Sequence, residues 1–294
     1  MQYGSTMTSD PSTRDRRPDP SALRAALRVR PAAKVSLKHF DAGATHGWEK
    51  PVARDETERQ LERLADLQDR LWAEAKRAVL VVLQGIDAAG KDGTVKHVLR
   101  GTNPAGVRVQ SFKEPSSEEL AHDFLWRYHQ ATPADGVIGV FNRSHYEDVL
   151  VVRVKDLAPE PLWRSRYDSI NDFERMLVRE GTTILKFFLH ISKEEQLEKF
   201  RQRLARPDKY FKWSDNDIKE RARWDEYQQA YEDAVNATST PWAPWYVIPA
   251  DHRWFRNYVV ARILAGTLET MDPRYPEPPA EVKEFAEREL GKAG

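Results

Sequence analysis

Eight consecutive residues restrict the fold more than any other part of the chain. Gly85-Ile86-Asp87-Ala88-Ala89-Gly90-Lys91-Asp92 follows the spacing G-x-x-x-x-G-K, with an aliphatic run from Ala78 to Leu83 before it and a helix-competent stretch after it. Glycines let the backbone curl until successive N–H groups and the N-terminus of the next helix face one anion, and a lysine there adds a mobile positive charge suited to phosphate oxygens. Such a loop needs a strand on one side and a helix on the other, which commits the surrounding chain to an α/β arrangement.

The remaining pattern agrees. Short apolar segments predict strands over 78–84, 107–112, 136–141, 183–191 and 245–248. Helical periodicity is expected over 91–101, 117–130, 143–149, 166–180, 193–204, 217–235 and 252–268. A helix over 56–76 precedes the first strand, with Leu61, Leu64, Leu67, Leu71 and Trp72 on one face. Short apolar strands alternating with helices predict a parallel sheet sandwiched by helices. Residues 1–55, irregular and initially rich in Ser, Thr, Pro and Arg, are expected to form a mobile N-terminal extension. The phosphate-loop domain is expected over 56–270 with a lid at about 201–218, and a C-terminal extension over 271–294 holds a proline-rich exit and a short charged helix.

Composition bounds the chemistry. With no cysteine there is no disulfide framework, thiolate zinc site or cysteine nucleophile. No apolar stretch approaches the ~20 residues of a membrane span, so a cytoplasmic protein without a membrane partner is expected. The 46 basic side chains are balanced by 46 acidic ones. An overall nucleic-acid-binding coat is therefore not expected, and any polyanion must be held by locally clustered cations.

Three clusters carry candidate chemistry. Most phosphate loops place Ser or Thr after the lysine; here the position is Asp92, and Asp87 lies inside the loop as well. Two carboxylates beside bound phosphates would repel them unless a hard divalent cation, Mg2+ or Mn2+, sits between. Asp92 can alternatively serve as an acid favoured at a helix N-terminus. The second cluster, Asn142-Arg143-Ser144-His145-Tyr146-Glu147-Asp148, begins where the third predicted strand ends. Arg143 there would face the phosphates and stabilise developing charge, and Glu147 would reach the metal or the nucleotide, or lie on an exposed helix face. His145, Tyr146, Trp224, Tyr227 and Tyr231 read as packing residues. The third cluster sets Arg201, Arg203, Arg206, Lys209 and Lys212 against a single acid, Asp208, with Tyr210, Phe211 and Trp213 interleaved. Cations in a loop beside a phosphate site fit a lid that closes over phosphates and excludes water. The residues alone leave open a phosphotransferase, an ATP-dependent nucleoside monophosphate kinase, or a nucleotide- or RNA-binding module.

Taken together, 85–93 (GIDAAGKDG), 141–146 (FNRSHY), 101–113 with Asn103-Pro104, 201–213, Ala243-Pro244-Trp245 and Pro249-Ala250-Asp251 resemble the family-2 polyphosphate kinases over about 61–268. The resemblance implies a phosphate-loop kinase fold similar to thymidylate kinases, with a helical lid. It implies reversible, magnesium-dependent phosphoryl transfer between inorganic polyphosphate and nucleotides by a homo-oligomer. It assigns catalysis to Asp87, Lys91 and Arg143, and metal binding to Asp87 and Asp92. Phosphate and nucleotide binding fall to Gly85, Ala88, Ala89, Gly90, Lys91, Asp92, Gly93, Asn142, Arg143, Glu147, Arg203, Lys209 and Lys212. Many members carry Asp where this chain has Asn142, a weaker ligand for a divalent ion, which shifts the metal toward Asp87. Asn followed by a Tyr-Glu pair resembles the branch that accepts AMP as well as ADP; guanine nucleotides are a further acceptor class.

Overall fold

A strand covered on both faces must be apolar throughout, and β1 (Ala78–Gln84) is buried at all seven positions. In the computed structural model, which describes residues 18–212 and 215–291, it is the central strand of a five-stranded sheet. The others are β2 (Val107–Ser111), β3 (Ile138–Asn142), β4 (Thr182–His190) and β5 (Trp245–Pro249), in the order β2-β3-β1-β4-β5. All neighbours run parallel, and Leu83 lies opposite Asn142 and Gln84 opposite Phe188. The chain therefore leaves β1 toward one edge and later returns to its other side, which opens a crevice at the carboxyl ends of β1 and β3.

Helices α1 (Pro20–Leu27), α2 (Lys50–Glu74) and α3 (Lys91–Val98) precede the two short helices α4 (Ser117–Leu120) and α5 (Trp126–His129). The expected single helix over 117–130 is thus divided. Ser116 and Glu119 form a capping box at its start, but the first helix lasts one turn. The helix expected over 143–149 is instead a 3-10 turn, His145–Asp148, followed by α6 (Val151–Val154). Arg143 has φ +64° and Ser144 is extended, so a helix cannot begin until after them. Next come α7 (Glu160–Arg179), α8 (Lys193–Leu204), α9 (Asp215–Ala222) and α10 (Trp224–Thr238), the last two separated at Arg223 where one helix was expected. α11 (Arg253–Met271) packs on α2, α3 and the strands β4 and β5, while α7 packs on β4 and α10. α12 (Ala280–Leu290) follows the proline-rich exit with exposed residues. Among the described residues no helix is long and apolar enough to cross a membrane.

The mobile extension expected through residue 55 requires correction over 18–55. Leu23, Leu27, Val29, Leu37, Trp48 and Ala53 are buried in the common core. Val29 donates its N–H to the Trp245 carbonyl at 2.8 Å, and Arg28 forms an antiparallel bridge with Tyr246. Asp19 caps α1 by accepting from the Ser21 N–H at 2.8 Å. The segment is ordered because spaced apolar side chains find a partner in β5 and α11, a tertiary match that local periodicity does not register. Residues 1–17 lie outside the described part. Leu27→Ala is expected to lower the unfolding free energy by about 2–5 kcal/mol in urea titrations, where a side chain in a mobile tail would leave it unchanged.

Candidate active site

The loop between β1 and α3 is shaped by close neighbours. A Cβ on Gly85 would come within 2.8 Å of the Leu189 carbonyl, and one on Gly90, at φ +99°, would fall 1.9 Å from Arg256 Nη1. Ala88 takes φ +68°, a left-handed backbone that costs a non-glycine residue energy and concentrates at functional sites. Ala89 is buried, and Gly93 lies in the first turn of α3. Lys91 is 9% exposed and curls back over the loop, its Nζ donating to the Gly85 carbonyl at 2.5 Å and to Ile86 O at 3.5 Å. Burial and the Arg143 charge push the Lys91 ammonium down to about 8, against the opposing pull of Asp87, Glu147 and Asp92.

The end of β3 brings the second cluster alongside. Asn142 Nδ2 donates to Asp92 Oδ1 at 2.8 Å and to Ser111 Oγ at 3.4 Å. Arg143, at φ +64°, donates from Nη2 to Asp87 Oδ1 at 2.8 Å. Both side chains of that pair are partly exposed, so it adds only about 0–1 kcal/mol of stability, and its significance is geometric. Burial pushes the Asp87 carboxyl up, but Lys91, Arg143, Arg203 and Lys155 together hold it below its ordinary value. Glu147 responds the other way: burial raises it, and Arg143, Lys91 and Gln84 offset only part of that rise. Two nearby carboxylates are thereby driven apart in acidity.

Among the described residues no three His, Asp or Glu side chains converge as a cation site. The donor set nevertheless fits Mg2+, which usually takes one or two protein carboxylates and completes its shell with phosphate oxygens and water. Asp87 and Asp92 are two hard oxygen donors in one phosphate loop. Asn142 has its amide nitrogen committed to Asp92.

Several residues around the site carried no motif. Gln196 of α8 is buried and donates to the Asp87 carbonyl at 2.9 Å, while its Oε1 accepts from Arg221 of α9 at 2.8 Å. Beneath the second cluster, Lys186 Nζ donates to Glu174 Oε2 at 2.6 Å, to Tyr146 Oη at 2.9 Å and to the Thr238 carbonyl at 2.7 Å. Tyr146 Oη donates to Glu174 Oε1 at 2.8 Å, and His145 Nε2 lies 3.2 Å from the same oxygen. Lys186, Glu174 and His145 are fully buried. This network clamps the 3-10 turn that presents Arg143 and Glu147. Two outliers in the sequence mark it: a lysine inside the apolar strand TTILKFFLH and a glutamate on the buried stripe of α7. Tyr227 and Tyr231 are packed as expected, yet the charges of Asp87 and Glu147 reach both.

In the expected lid, α8 ends at Leu204 and a 3-10 turn spans Pro207–Lys212. Arg203 donates to Asp217 at 3.0 Å and lies within electrostatic reach of Asp87, whereas Arg206 pairs with Asp208 at the exposed surface. The side chains of Lys209 and Lys212 lie outside the described residues.

A parallel sheet with a phosphate loop after its central strand, and an arginine just beyond the end of the adjoining strand on that loop's carboxylate, defines a phosphate-loop phosphotransferase of kinase type. The family model for polyphosphate kinase 2 matches residues 48–276, and the chain belongs to that family. A protein from Meiothermus ruber named AMP/ADP-polyphosphate phosphotransferase is 53% identical over 253 residues, covering 85% of this chain and 95% of its own. An ADP-polyphosphate phosphotransferase from Rhodopseudomonas palustris is 46% identical over 239 residues, covering 77% of this chain and 83% of its own. The crystal structure of polyphosphate kinase 2 from Arthrobacter aurescens TC1 superposes with a TM-score of 0.85 at 39% identity, over 92% of this chain and 97% of that one.

Because removing one member of a buried ion pair strands the other, Lys186→Met should lower the unfolding free energy by about 3–5 kcal/mol. The double variant Glu174→Gln/Lys186→Met should recover part of that loss, as a double-mutant cycle in urea would measure.

Proposed function

We propose that this chain transfers a phosphoryl group reversibly between inorganic polyphosphate and AMP or ADP, with Mg2+ held by Asp87 and Asp92. The observation that carries the reading is the meeting of Lys91, Asp87, Asp92 and Arg143 at the adjacent carboxyl ends of β1 and β3. The names of the Meiothermus and Rhodopseudomonas relatives support the choice of substrates.

Polyphosphate enters with its terminal phosphoryl group over the loop, where the backbone N–H groups of 85–93 and the N-terminus of α3 receive its oxygens. Lys91 swings from the Gly85 carbonyl to the phosphate, and Arg143 exchanges part of its hold on Asp87 for the same group. Asp87 and Asp92 would hold the divalent ion, which would supply neutralisation of the phosphate charge. The attacking atom is a terminal phosphate oxygen of the acceptor nucleotide, already ionised near neutral pH, so no strong general base is required. Lys91 and Arg143 align donor and acceptor and stabilise the charge on the transferring group, which is most of what such a reaction needs. Glu147 borders the same space and contributes to nucleotide placement, and Arg203, Lys209 and Lys212 close the lid against water. One phosphoanhydride replaces another, so concentrations set the direction. Guanine nucleotides as acceptors, a homo-oligomer and a cytoplasmic location complete the reading.

Purified protein with Mg2+, polyphosphate and AMP, ADP, GMP or GDP, tested separately, should yield the phosphorylated nucleotides by chromatography; transfer from ATP with none from polyphosphate would overturn the reading. Lys91→Ala should lower kcat by two decades or more, about 3 kcal/mol of transition-state stabilisation, with its circular dichroism unchanged. Asp87→Asn should move the Mg2+ titration of the rate to higher concentration, and an unchanged titration would remove Asp87 from the metal site.

A further inference from the structure

Arg256, near the start of α11, is 2% exposed, and its guanidinium packs against the phosphate loop. Nη1 donates to the Ala89 carbonyl at 3.0 Å, while Nε and Nη2 reach Asn257 Oδ1 at 3.3 and 3.1 Å. The absence of a side chain at Gly90 makes room for Nη1, and a Cβ at Gly93 would lie 3.5 Å from Nη2. Its hydrogen-bond acceptors are a carbonyl and an amide oxygen; among the described residues no carboxylate forms an ion pair with it. The charged neighbour that acts on it is another cation, Arg253, and burial with that charge pulls Arg256 down to about 10. Its own charge in turn disfavours the protonated forms of Lys199 and His97, on α8 and α3, beyond what their burial does.

Burying a guanidinium without an opposite charge is unfavourable, and folds normally pair it or leave it at the surface. Here the side chain is fixed by three hydrogen bonds, in a space that a glycine keeps open, directly behind an anion-binding turn. We propose that Arg256 is a positioning residue whose positive charge is balanced by the substrate's phosphates: it holds the Ala89 carbonyl and raises the affinity of the loop for the multiply charged end of polyphosphate. It touches no phosphate itself and acts through the loop backbone and across a short, poorly screened distance. The proposal rests on reading the loop as the phosphate cradle.

Asn257→Asp separates charge from shape, because it keeps Arg256 and its hydrogen bonds while supplying the missing carboxylate. Tripolyphosphate with Mg2+ is titrated calorimetrically into the full chain, the Asn257→Asp variant, Arg256→Gln and Arg256→Lys, with thermal unfolding recorded for each. Asn257→Asp is expected to weaken tripolyphosphate binding at least 5-fold with a Tm no lower than that of the parent. Arg256→Gln is expected to weaken binding at least 10-fold, and Arg256→Lys, which keeps a cation, no more than 3-fold. In turnover the first two should raise KM for polyphosphate with little change in kcat. A purely structural arginine predicts the reverse order, with Asn257→Asp harmless and Lys as damaging as Gln, and either result overturns the proposal. If Arg256→Gln does not fold, Asn257→Asp decides alone: binding within twofold of the parent overturns it. A parent chain that fails to bind tripolyphosphate sinks the cradle reading and this proposal together, whereas a binding parent with an unaffected Asn257→Asp variant sinks this proposal only.

Discussion

The parallel pairing of β1 with β3 is the constraint on which the site depends. With Leu83 opposite Asn142, the two strands end at the same level, and the segments leaving them, 85–93 and 143–148, are forced into one crevice. A slip of one residue would turn the inward side chains of β3 outward and carry Asn142 away from Asp92. The register is held by burial on both faces of β1 and β3, whose positions are all buried. The same apolar packing that stabilises the sheet therefore sets the separation of the charged groups above it.

Those charged groups satisfy one another in the protein alone. Arg143 rests on Asp87, Asn142 on Asp92, and Lys91 on the carbonyls of its own loop. This mutual pairing lowers the cost of keeping so many ions in a partly dry crevice, and under the proposed function a bound phosphate would exchange these contacts rather than meet unsolvated charges. Left-handed backbone at Ala88 and Arg143 is a further cost, carried where each motif turns toward the other. The Glu174–Lys186–Tyr146 network beneath gives the second turn a rigid floor, and Gln196 ties the Asp87 carbonyl to helices α8 and α9.

Much of this was legible in the amino-acid order. The inner strands announce themselves because a sheet covered on both faces needs near-continuous apolar runs, and the loop because left-handed backbone such as that at Gly90 suits glycine. Both motifs end strands, so their meeting follows once the sheet is parallel. The rest depended on tertiary contacts that local patterns do not encode. Residues 143–149 read as helical, yet the backbone at Arg143 and the Ser144 cap defer the turn. Arg223 breaks a long helix with neither glycine nor proline. Lys186 and Glu174 stand twelve residues apart on different elements, and nothing short of the packed structure pairs them. In α1 polar neighbours mask the two apolar side chains, Leu23 and Leu27, that are buried against the core.

That docking has a further effect on how the molecule meets its own kind. The outer side of β5 would be an open row of amides and carbonyls, ready to template another strand. Arg28 and Val29 lie along it, Val29 taking up the Trp245 carbonyl. The sheet is thus blunted at that margin by its own chain, while the opposite edge strand, β2, leaves Arg108 exposed. Trimming the chain at residue 48, where the family match begins, would strip that guard and expose a sticky strand.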